Sequence, residues 1–470
     1  MTEENRRAVR LAFSSALVWL IFGVIVGAWE SIIYAHPEIM YSLPVWLRPF
    51  VEFGKLRQIH VNTLAFAWLS IGFIGALLAI VPKLTGATLA KPRLAIAAIW
   101  SWNLAIIIGV IALDMGKTRA REYASMIWPS DALMVLSFIL LNIVVWRTLI
   151  LRREKKLHVA LWYLAGSIVW MPIIIILGKG LWLDFFSNPF FGVFDNVANW
   201  FLGHNILGLW FTTLGIGTSY YVIPQITNNP IYNHKLSIIG FWSLVLCYPA
   251  VGAHHTLAGP VPTWLMAEAT VFSVLMVIPV TTALWNIHKT IGAKWELFVK
   301  EPIFAFITTG LFFYFLVSLQ GSFQALRFVS EYLHFSQWVP AHAMLALGGG
   351  FTFICISAIY YFGPEVFGGE WYSRRLQVWH FNLSLVGILG IFFGLTVAGL
   401  IQGANWQNTN AGMHWIDATV RAVHPHMVVL AISGAVFGIA QVIFAVNYVL
   451  SLSINARSQV ALRKEAGFNV

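Results

Sequence analysis

Twelve long apolar segments run through this chain of 470 residues and constrain its fold more than any other feature. Each is about 20 residues long, which is the length a helix needs to cross the hydrocarbon core of a bilayer. Lipid cannot satisfy open backbone groups, so membrane-spanning segments of this kind must be helices. The predicted spans are 11–33, 59–82, 94–114, 128–150, 158–178, 200–224, 236–255, 264–287, 302–325, 340–362, 377–402 and 424–450.

The composition agrees with an all-α integral membrane protein. Charged residues make up 10% of the chain, against about 25% in soluble domains. Twelve helices leave little room for a separate soluble domain, so residues 1–470 are predicted to form one helical domain. The first span follows Arg6, Arg7 and Arg10. It is too long for the apolar part of a signal peptide and lacks a convincing cleavage site, so we treat it as part of the fold.

The basic residues are divided unequally between the two sides of the predicted helices. The side that carries both termini holds 20 of the 29 Lys and Arg residues, and the other side holds nine. Because positive charge accumulates in cytoplasmic loops, both termini are expected in the cytoplasm. The same bias explains much of the net charge of +10, and nucleic-acid binding is therefore not expected.

Five of the fourteen histidines lie at related ends of predicted spans. His60, His204 and His342 begin spans two, six and ten, whereas His254 and His255 end span seven. Even-numbered spans start at the face opposite the termini and odd-numbered spans end there, so all five lie near that face. Ionisable groups at membrane depth are costly and usually mark a functional site, and neutral imidazole is the commonest protein ligand for a transition metal. The pattern therefore predicts a metal centre.

Helical geometry extends this prediction along two spans. Ser237, Tyr248 and His255 are separated by eleven and seven residues and share one face of an α-helix. This polar stripe indicates either hydrogen bonds between helices or a proton route that ends at a redox-active phenol. In span ten, His342 and Met344 lie on nearly opposite faces. One helix could therefore present ligands to two different cofactors.

The histidines belong to short segments that form a specific combination. These segments are Lys55-Leu-Arg-Gln-Ile-His-Val-Asn, Arg121-Glu-Tyr-Ala with Trp128-Pro, Gly203-His-Asn, Tyr220-Tyr-Val-Ile-Pro, Leu236-Ser-Ile-Ile-Gly-Phe-Trp, Tyr248 six residues before the His pair, Pro364-Glu-Val-Phe-Gly and Gln402-Gly-Ala-Asn-Trp. The combination resembles the catalytic subunit of heme-copper oxidases, specifically the C-family, or cbb3-type, cytochrome c oxidases. The resemblance covers nearly the whole chain. It implies the family's twelve-helix bundle in the bacterial inner (cytoplasmic) membrane, and reduction of O2 to water coupled to proton uptake, to which pumping could add.

The resemblance also implies which residues bind the cofactors. His204, His254 and His255 match the ligands of the active-site copper ion. His342 matches the ligand of the high-spin heme that faces this copper, and His60 matches one axial ligand of a low-spin heme. Both hemes are expected to be b-type.

Further roles follow from the same resemblance. Tyr248 matches the phenol that is cross-linked to the first of the copper ligands, and Glu122 matches a position near a divalent cation, expected to be calcium, that bridges heme propionates and a partner subunit. Ser237, Tyr220 and Tyr221 lie in the region of the family's single proton channel. The chain has no Cys-x-x-Cys-His motif, so electrons are expected from membrane-anchored c-type cytochrome subunits.

Two residues depart from the pattern of the family. Met344 stands where the family has a second histidine that ligates the low-spin heme. A thioether can bind heme iron and raises its potential relative to bis-His ligation, so we expect a heme between His60 and Met344. A five-coordinate heme, or loss of that heme, is the alternative. Gln320 stands where the family typically has a Glu close to the high-spin heme, and an amide cannot carry a proton or a negative charge.

Two other functions stay open from the sequence. Nitric oxide reductases share this fold, but they usually carry a Glu that binds non-heme iron four residues after the first copper-position histidine, and here that residue is Gly208. Copper content would favour the oxidase, and a second non-heme iron would favour the reductase. A transporter or a heme-containing sensor would suit twelve spans, but it would give the histidines no evident role.

Overall fold

Helices form nearly all of the computed structural model, which describes residues 1–119, 121–180, 190–257, 259–408 and 415–465. In this part of the chain, twelve helices are long and apolar enough to cross a membrane, which confirms the predicted number and the all-α class. Spans 1 to 12 are Glu3–Ala35, Arg48–Thr85, Pro92–Asp114, Trp128–Ile150, Val159–Gly178, Val193–Thr227, His234–Thr256, Thr263–Ile291, Pro302–Gln324, Trp338–Phe367, Arg374–Gln407 and Trp415–Ser458.

The helices are generally longer than the predicted apolar segments. Span 4 has the predicted bounds, but span 6 begins at Val193, seven residues before the predicted start at 200. The helix of span 12 continues to Glu465. Hydropathy detects the part of a helix that lies in lipid, whereas backbone hydrogen bonding continues into polar turns on either side. Polar site residues near the start of span 6 therefore lie within the helix.

Spans 2, 6 and 10 form the centre of the bundle. In spans 2 and 6, 94% of the most apolar window is buried, and in span 10 the share is 78%. The corresponding share is 28% in spans 8 and 12, which therefore expose most of their apolar surface to the surroundings. The three central helices are the ones that carry His60, His204 and His342.

The three central spans share an internal pattern. Each contains a π-helical segment, an irregularity that often occurs at functional sites. These segments are Thr63–Leu69, Ile206–Thr212 and Leu345–Phe351. Each begins two or three residues after the site histidine of its span. Each span also has a proline near its end and a left-handed residue after it: Pro82 and Gly86, Pro224 and Asn228, Pro364 and Gly368. We call the three units repeats one, two and three.

The connection that follows span 6 is attached to span 8 by two side chains. Asn286 accepts a hydrogen bond from the backbone N–H of Asn233 at 2.9 Å and donates to the carbonyl of the same residue at 2.9 Å. Thr290, one turn further on, accepts from the backbone N–H of Tyr232 at 3.1 Å. The backbone polar groups at this joint are therefore satisfied by side chains of a neighbouring helix.

The connection that follows span 10 is attached to span 12 in the same way. Asn447 accepts from the backbone N–H of Ser373 at 3.0 Å and donates to its carbonyl at 3.0 Å. Ser451 accepts from the backbone N–H of Tyr372 at 2.8 Å. Repeats two and three are thus alike in the joint that follows the central helix as well as in the helix itself.

Candidate metal centre

Three histidines from two spans come together near the face opposite the termini. The candidate ligand nitrogens of His204, His254 and His255 all lie within 4.8 Å of one another. Nδ1 of His204 lies 3.3 Å from Nε2 of His255. Within the described residues, this is the one group of three or more His, Cys, Asp or Glu side chains close enough to hold a metal ion. Imidazole ligands suit copper, zinc and iron.

One nitrogen of this cluster shows that a ligand fits here. Nε2 of His254 is buried and has no hydrogen-bond partner among the described residues. A buried polar atom without a partner costs free energy, about 1–3 kcal/mol. A metal ion bound by the three rings would remove that cost.

The segment that carries the His pair differs from the predicted α-helix. Tyr248–Thr256 is a 3-10 helix with a proline in its first turn. A 3-10 helix has three residues per turn, so residues six apart share a face. The predicted stripe through Ser237, Tyr248 and His255 assumed α-helical geometry and is therefore wrong at its end. Tyr248 shares its face with His254 instead.

Tyr248 lies directly against the cluster. Its ring stacks on that of His204, with the ring centroids 4.9 Å apart and the planes 16° apart. Gly208, on the next turn of the same span as His204, lies under this ring. A Cβ atom added at Gly208 would lie 2.1 Å from Cε1 and Cζ of Tyr248. A Glu at this position, as the nitric oxide reductase pattern requires, is sterically incompatible with the phenol in this position.

The indole of Trp200 packs against His255, the third histidine of the cluster. The rings of Trp200 and His255 stack with centroids 3.8 Å apart and planes 7° apart. Trp200 lies four residues before His204, which places both on one face of span 6. Sequence reasoning missed Trp200, although an aromatic residue one turn before a ligand histidine is a usable signal.

His342 is oriented by the residue that departs from the family pattern. Its Nδ1 lies 3.4 Å from Oε1 of Gln320 in span 9. An amide oxygen only accepts hydrogen bonds, so Nδ1 carries the hydrogen and Nε2 keeps its lone pair. This is the form in which imidazole binds heme iron.

His60 is oriented in a similar way by the first span. Its Nδ1 lies 2.8 Å from the carbonyl oxygen of Gly23, so its Nε2 also keeps a lone pair. A Cβ at Gly27 would lie 2.2 Å from Cε1 of the His60 ring, so a glycine is needed for this approach. Met344 is half-buried on span 10. A Cβ atom added at Gly348 would lie 3.5 Å from its methyl group.

Charged side chains gather at the same face, in the connection between spans 3 and 4. Glu122 forms two hydrogen bonds with the guanidinium of Arg57, both at 3.2 Å. Arg121 pairs with Asp195 at 3.1 Å, yet its Nε and Nη1 are buried without a partner among the described residues. Burial lowers the pKa of Arg121. Unpaired guanidinium nitrogens suit a carboxylate such as a heme propionate.

The predicted proton-channel residues divide into two groups. Nδ2 of Asn286 lies 2.8 Å from the hydroxyl oxygen of Ser237 and 3.3 Å from that of Tyr220, which links spans 6, 7 and 8. Tyr221 instead packs edge-on against the ring of Tyr361 of span 10, with the ring centroids 6.0 Å apart. The structure therefore keeps Ser237 and Tyr220 together and separates Tyr221 from them. Sequence reasoning missed Asn286, because nothing in its local pattern indicates two partners on other spans.

A model of the family described as Cytochrome C and Quinol oxidase polypeptide I matches residues 7–451. The chain belongs to this family. The predicted resemblance to heme-copper oxidases is thereby confirmed.

Two proteins of one bacterium and one solved structure are similar to this chain over most of its length. It is 28% identical to Cbb3-type cytochrome c oxidase subunit CcoN1 of Stutzerimonas stutzeri, over 95% of this chain and 94% of the relative. It is 24% identical to a nitric oxide reductase subunit of the same organism, over 82% of this chain and 80% of the relative. A heme-copper terminal oxidase dimer solved by cryo-EM superposes with a TM-score of 0.80, at 14% identity, over 96% of this chain and 84% of that chain, which shows a shared fold.

Proposed function

We propose that this chain is the catalytic subunit of a terminal respiratory oxidase that reduces O2 to water with electrons from a c-type cytochrome. One observation carries the proposal: Tyr248 stacks on His204 of the three-histidine cluster, and the bare backbone of Gly208 leaves room for it. The similarity to a cbb3-type cytochrome c oxidase subunit over nearly its whole length supports the same function.

The three-histidine cluster would hold one copper ion. The unpartnered Nε2 of His254 and the facing nitrogens of His204 and His255 fit such an ion. His342, oriented by Gln320, would ligate the iron of a b-type high-spin heme beside it. When bound, copper and heme iron supply electrons to O2. The phenol of Tyr248, which lies against the copper ligand His204, would supply one proton and one electron.

His60 and Met344 would ligate the iron of a second b-type heme, in the low-spin state. The hydrogen bond from Nδ1 of His60 to the Gly23 carbonyl oxygen leaves the lone pair of Nε2 available to the iron. The thioether of methionine is an established heme ligand. The unpaired nitrogens of Arg121 would bind heme carboxylates. Glu122 would supply a carboxylate to a calcium site near a partner subunit, and its two hydrogen bonds with Arg57 would then rearrange.

Protons would enter from the face that carries the termini. This face holds 20 of the Lys and Arg residues, so it would be the cytoplasmic side of a bacterial inner membrane. The entrance is the joint at Asn233, where Asn286 connects the backbone to Ser237 and Tyr220. Electrons would arrive at the opposite face from membrane-anchored c-type cytochrome subunits. Protons and electrons taken from opposite sides move charge across the membrane, to which proton pumping could add.

Metal analysis of the purified complex tests the proposal. We expect one copper for each pair of b-type hemes, a pyridine-hemochrome spectrum of heme b, and cyanide-sensitive oxygen uptake with a reduced cytochrome. A third, non-heme iron in place of copper, together with NO consumption, would instead identify a nitric oxide reductase.

A further inference from the structure

A hydrogen bond to His254 decides which of its ring nitrogens can hold a metal ion. Nδ1 of His254 lies 2.8 Å from the hydroxyl oxygen of Ser273. This hydroxyl already donates to the carbonyl oxygen of Ala269, one helical turn earlier, at 2.5 Å. A serine hydroxyl has a single hydrogen, so towards His254 it can only accept. Nδ1 therefore carries the ring hydrogen, and Nε2 keeps the lone pair.

The ring that carries this lone pair lies against the other two ligands. Nε2 of His254 is buried without a partner among the described residues. The ring lies 4.5 Å, centroid to centroid, from the rings of both His204 and His255. Neutral imidazole binds metals through the nitrogen that carries no hydrogen. The contact with Ser273 thus selects the tautomer that the metal centre needs.

Ser273 comes from a part of the fold that contributes no ligand to the cluster. It lies on span 8 and is 2% exposed. Its carbonyl oxygen accepts a hydrogen bond from the hydroxyl of Ser322, on span 9, at 2.8 Å. The position of the Ser273 hydroxyl is therefore set by its own helix and by the neighbouring one.

We propose that Ser273 is a positioning residue of the metal centre, which fixes His254 in the tautomer that directs Nε2 at the ion. This inference rests on the proposed copper site. Partners of the second nitrogen of a metal-ligating histidine are worth about 10- to 100-fold in metal affinity. Ser273 itself does not touch the metal.

An isosteric pair of substitutions isolates the hydroxyl. Ser273→Thr and Ser273→Val have the same shape, but only threonine keeps the acceptor. We expect Ser273→Val to bind copper about 10- to 100-fold more weakly than the wild type, measured by competition with a copper chelator in the purified complex. Ser273→Thr should stay within about threefold of the wild type. The nitrogen couplings in the Cu²⁺ EPR spectrum should change in Ser273→Val alone.

Heme content measured in each variant reports whether the complex has assembled. Thr270→Val is the matched control, because it removes a hydroxyl of the same span that donates to the carbonyl oxygens of Met266 and Ala325 and does not contact His254. If valine does not assemble, Ser273→Ala supplies the same loss of the acceptor in a smaller side chain. Wild-type copper affinity in an assembled Ser273→Val or Ser273→Ala complex overturns the role of Ser273. A wild-type complex that lacks copper overturns the proposed function instead.

Discussion

Repeats two and three are built on the same framework but differ in what their polar side chains connect. Counting back 20 residues from Pro224 and from Pro364 leads to His204 in one repeat and Met344 in the other. Four residues after these positions, Gly208 and Gly348 correspond in the same way. A proposed copper ligand and a proposed heme ligand therefore occupy corresponding places in two similar helices.

The two copies also share a tyrosine at their joint. Tyr220 and Tyr360 each stand four residues before the proline of their span. Nδ2 of Asn286 lies 3.3 Å from the hydroxyl of Tyr220, and Asn447 occupies the corresponding joint of repeat three, at Ser373. Up to this point, the two repeats carry the same residue types in corresponding places.

The two repeats differ in the side chain that follows the tyrosine in each polar chain. In repeat three, the hydroxyl of Tyr360 lies 2.8 Å from Nδ1 of His380, and Nε2 of His380 lies 3.2 Å from Oε1 of Gln441. His380 is fully buried, so both of its nitrogens are occupied by protein groups. In repeat two, the corresponding position on span 7 is Gly240. The same kind of joint thus continues into a polar cluster around His380 in repeat three, and into the Ser237–Asn286–Tyr220 chain, the proposed proton entrance, in repeat two.

The largest expected effect comes from filling the space at Gly208. In Gly208→Ala, the new Cβ must displace the Tyr248 ring, so turnover with O2 should fall by roughly 100-fold, since misplacing a reacting group by about 1 Å costs this much. Oxygen uptake per heme measures the loss. Gly348→Ala is the control, because its Cβ would meet Ile388 and Met344 instead. It should leave copper content unchanged and alter the low-spin heme spectrum. Wild-type turnover in Gly208→Ala would contradict the position of Tyr248.

A smaller effect separates the two entrances. Asn286→Leu removes the amide that connects Asn233, Ser237 and Tyr220, and we expect turnover to fall about 10- to 100-fold through loss of proton transfer. Asn447→Leu removes the corresponding amide of repeat three. It should lower thermal stability, because polar groups are left unpaired, while turnover stays within about twofold. Equal losses of turnover in the two variants would show that both repeats conduct protons.

The smallest effect tests the ligand difference itself. Met344→His restores at repeat three the residue type that repeat two carries at His204. Bis-His ligation lowers heme potential relative to His/Met, so the low-spin heme midpoint should fall by about 60 mV or more, equivalent to about tenfold in electron affinity. A potentiometric titration of the purified complex measures the shift. An unchanged midpoint, or a bis-His spectrum in the wild type, would rule out Met344 as a ligand.

Much of this molecule is determined by the sequence alone. Hydropathy is a local property, so twelve spans and their alternating direction could be read directly. Alternation then placed His60, His204, His254, His255 and His342 at one depth without any knowledge of packing. The polar stripe on span 7 was wrong at its end, because the 3-10 geometry of Tyr248–Thr256 changes the helical phase.

The tertiary structure decided what lies beside each ligand. Ser273 meets His254 across 19 positions of sequence, and Asn286 meets Tyr220 across 66. Neither pairing has a local pattern, because it depends on how separate helices rotate and pack. The contact between Gly208 and Tyr248 is of the same kind: the sequence shows a glycine, and only packing shows that any side chain there would collide with the phenol.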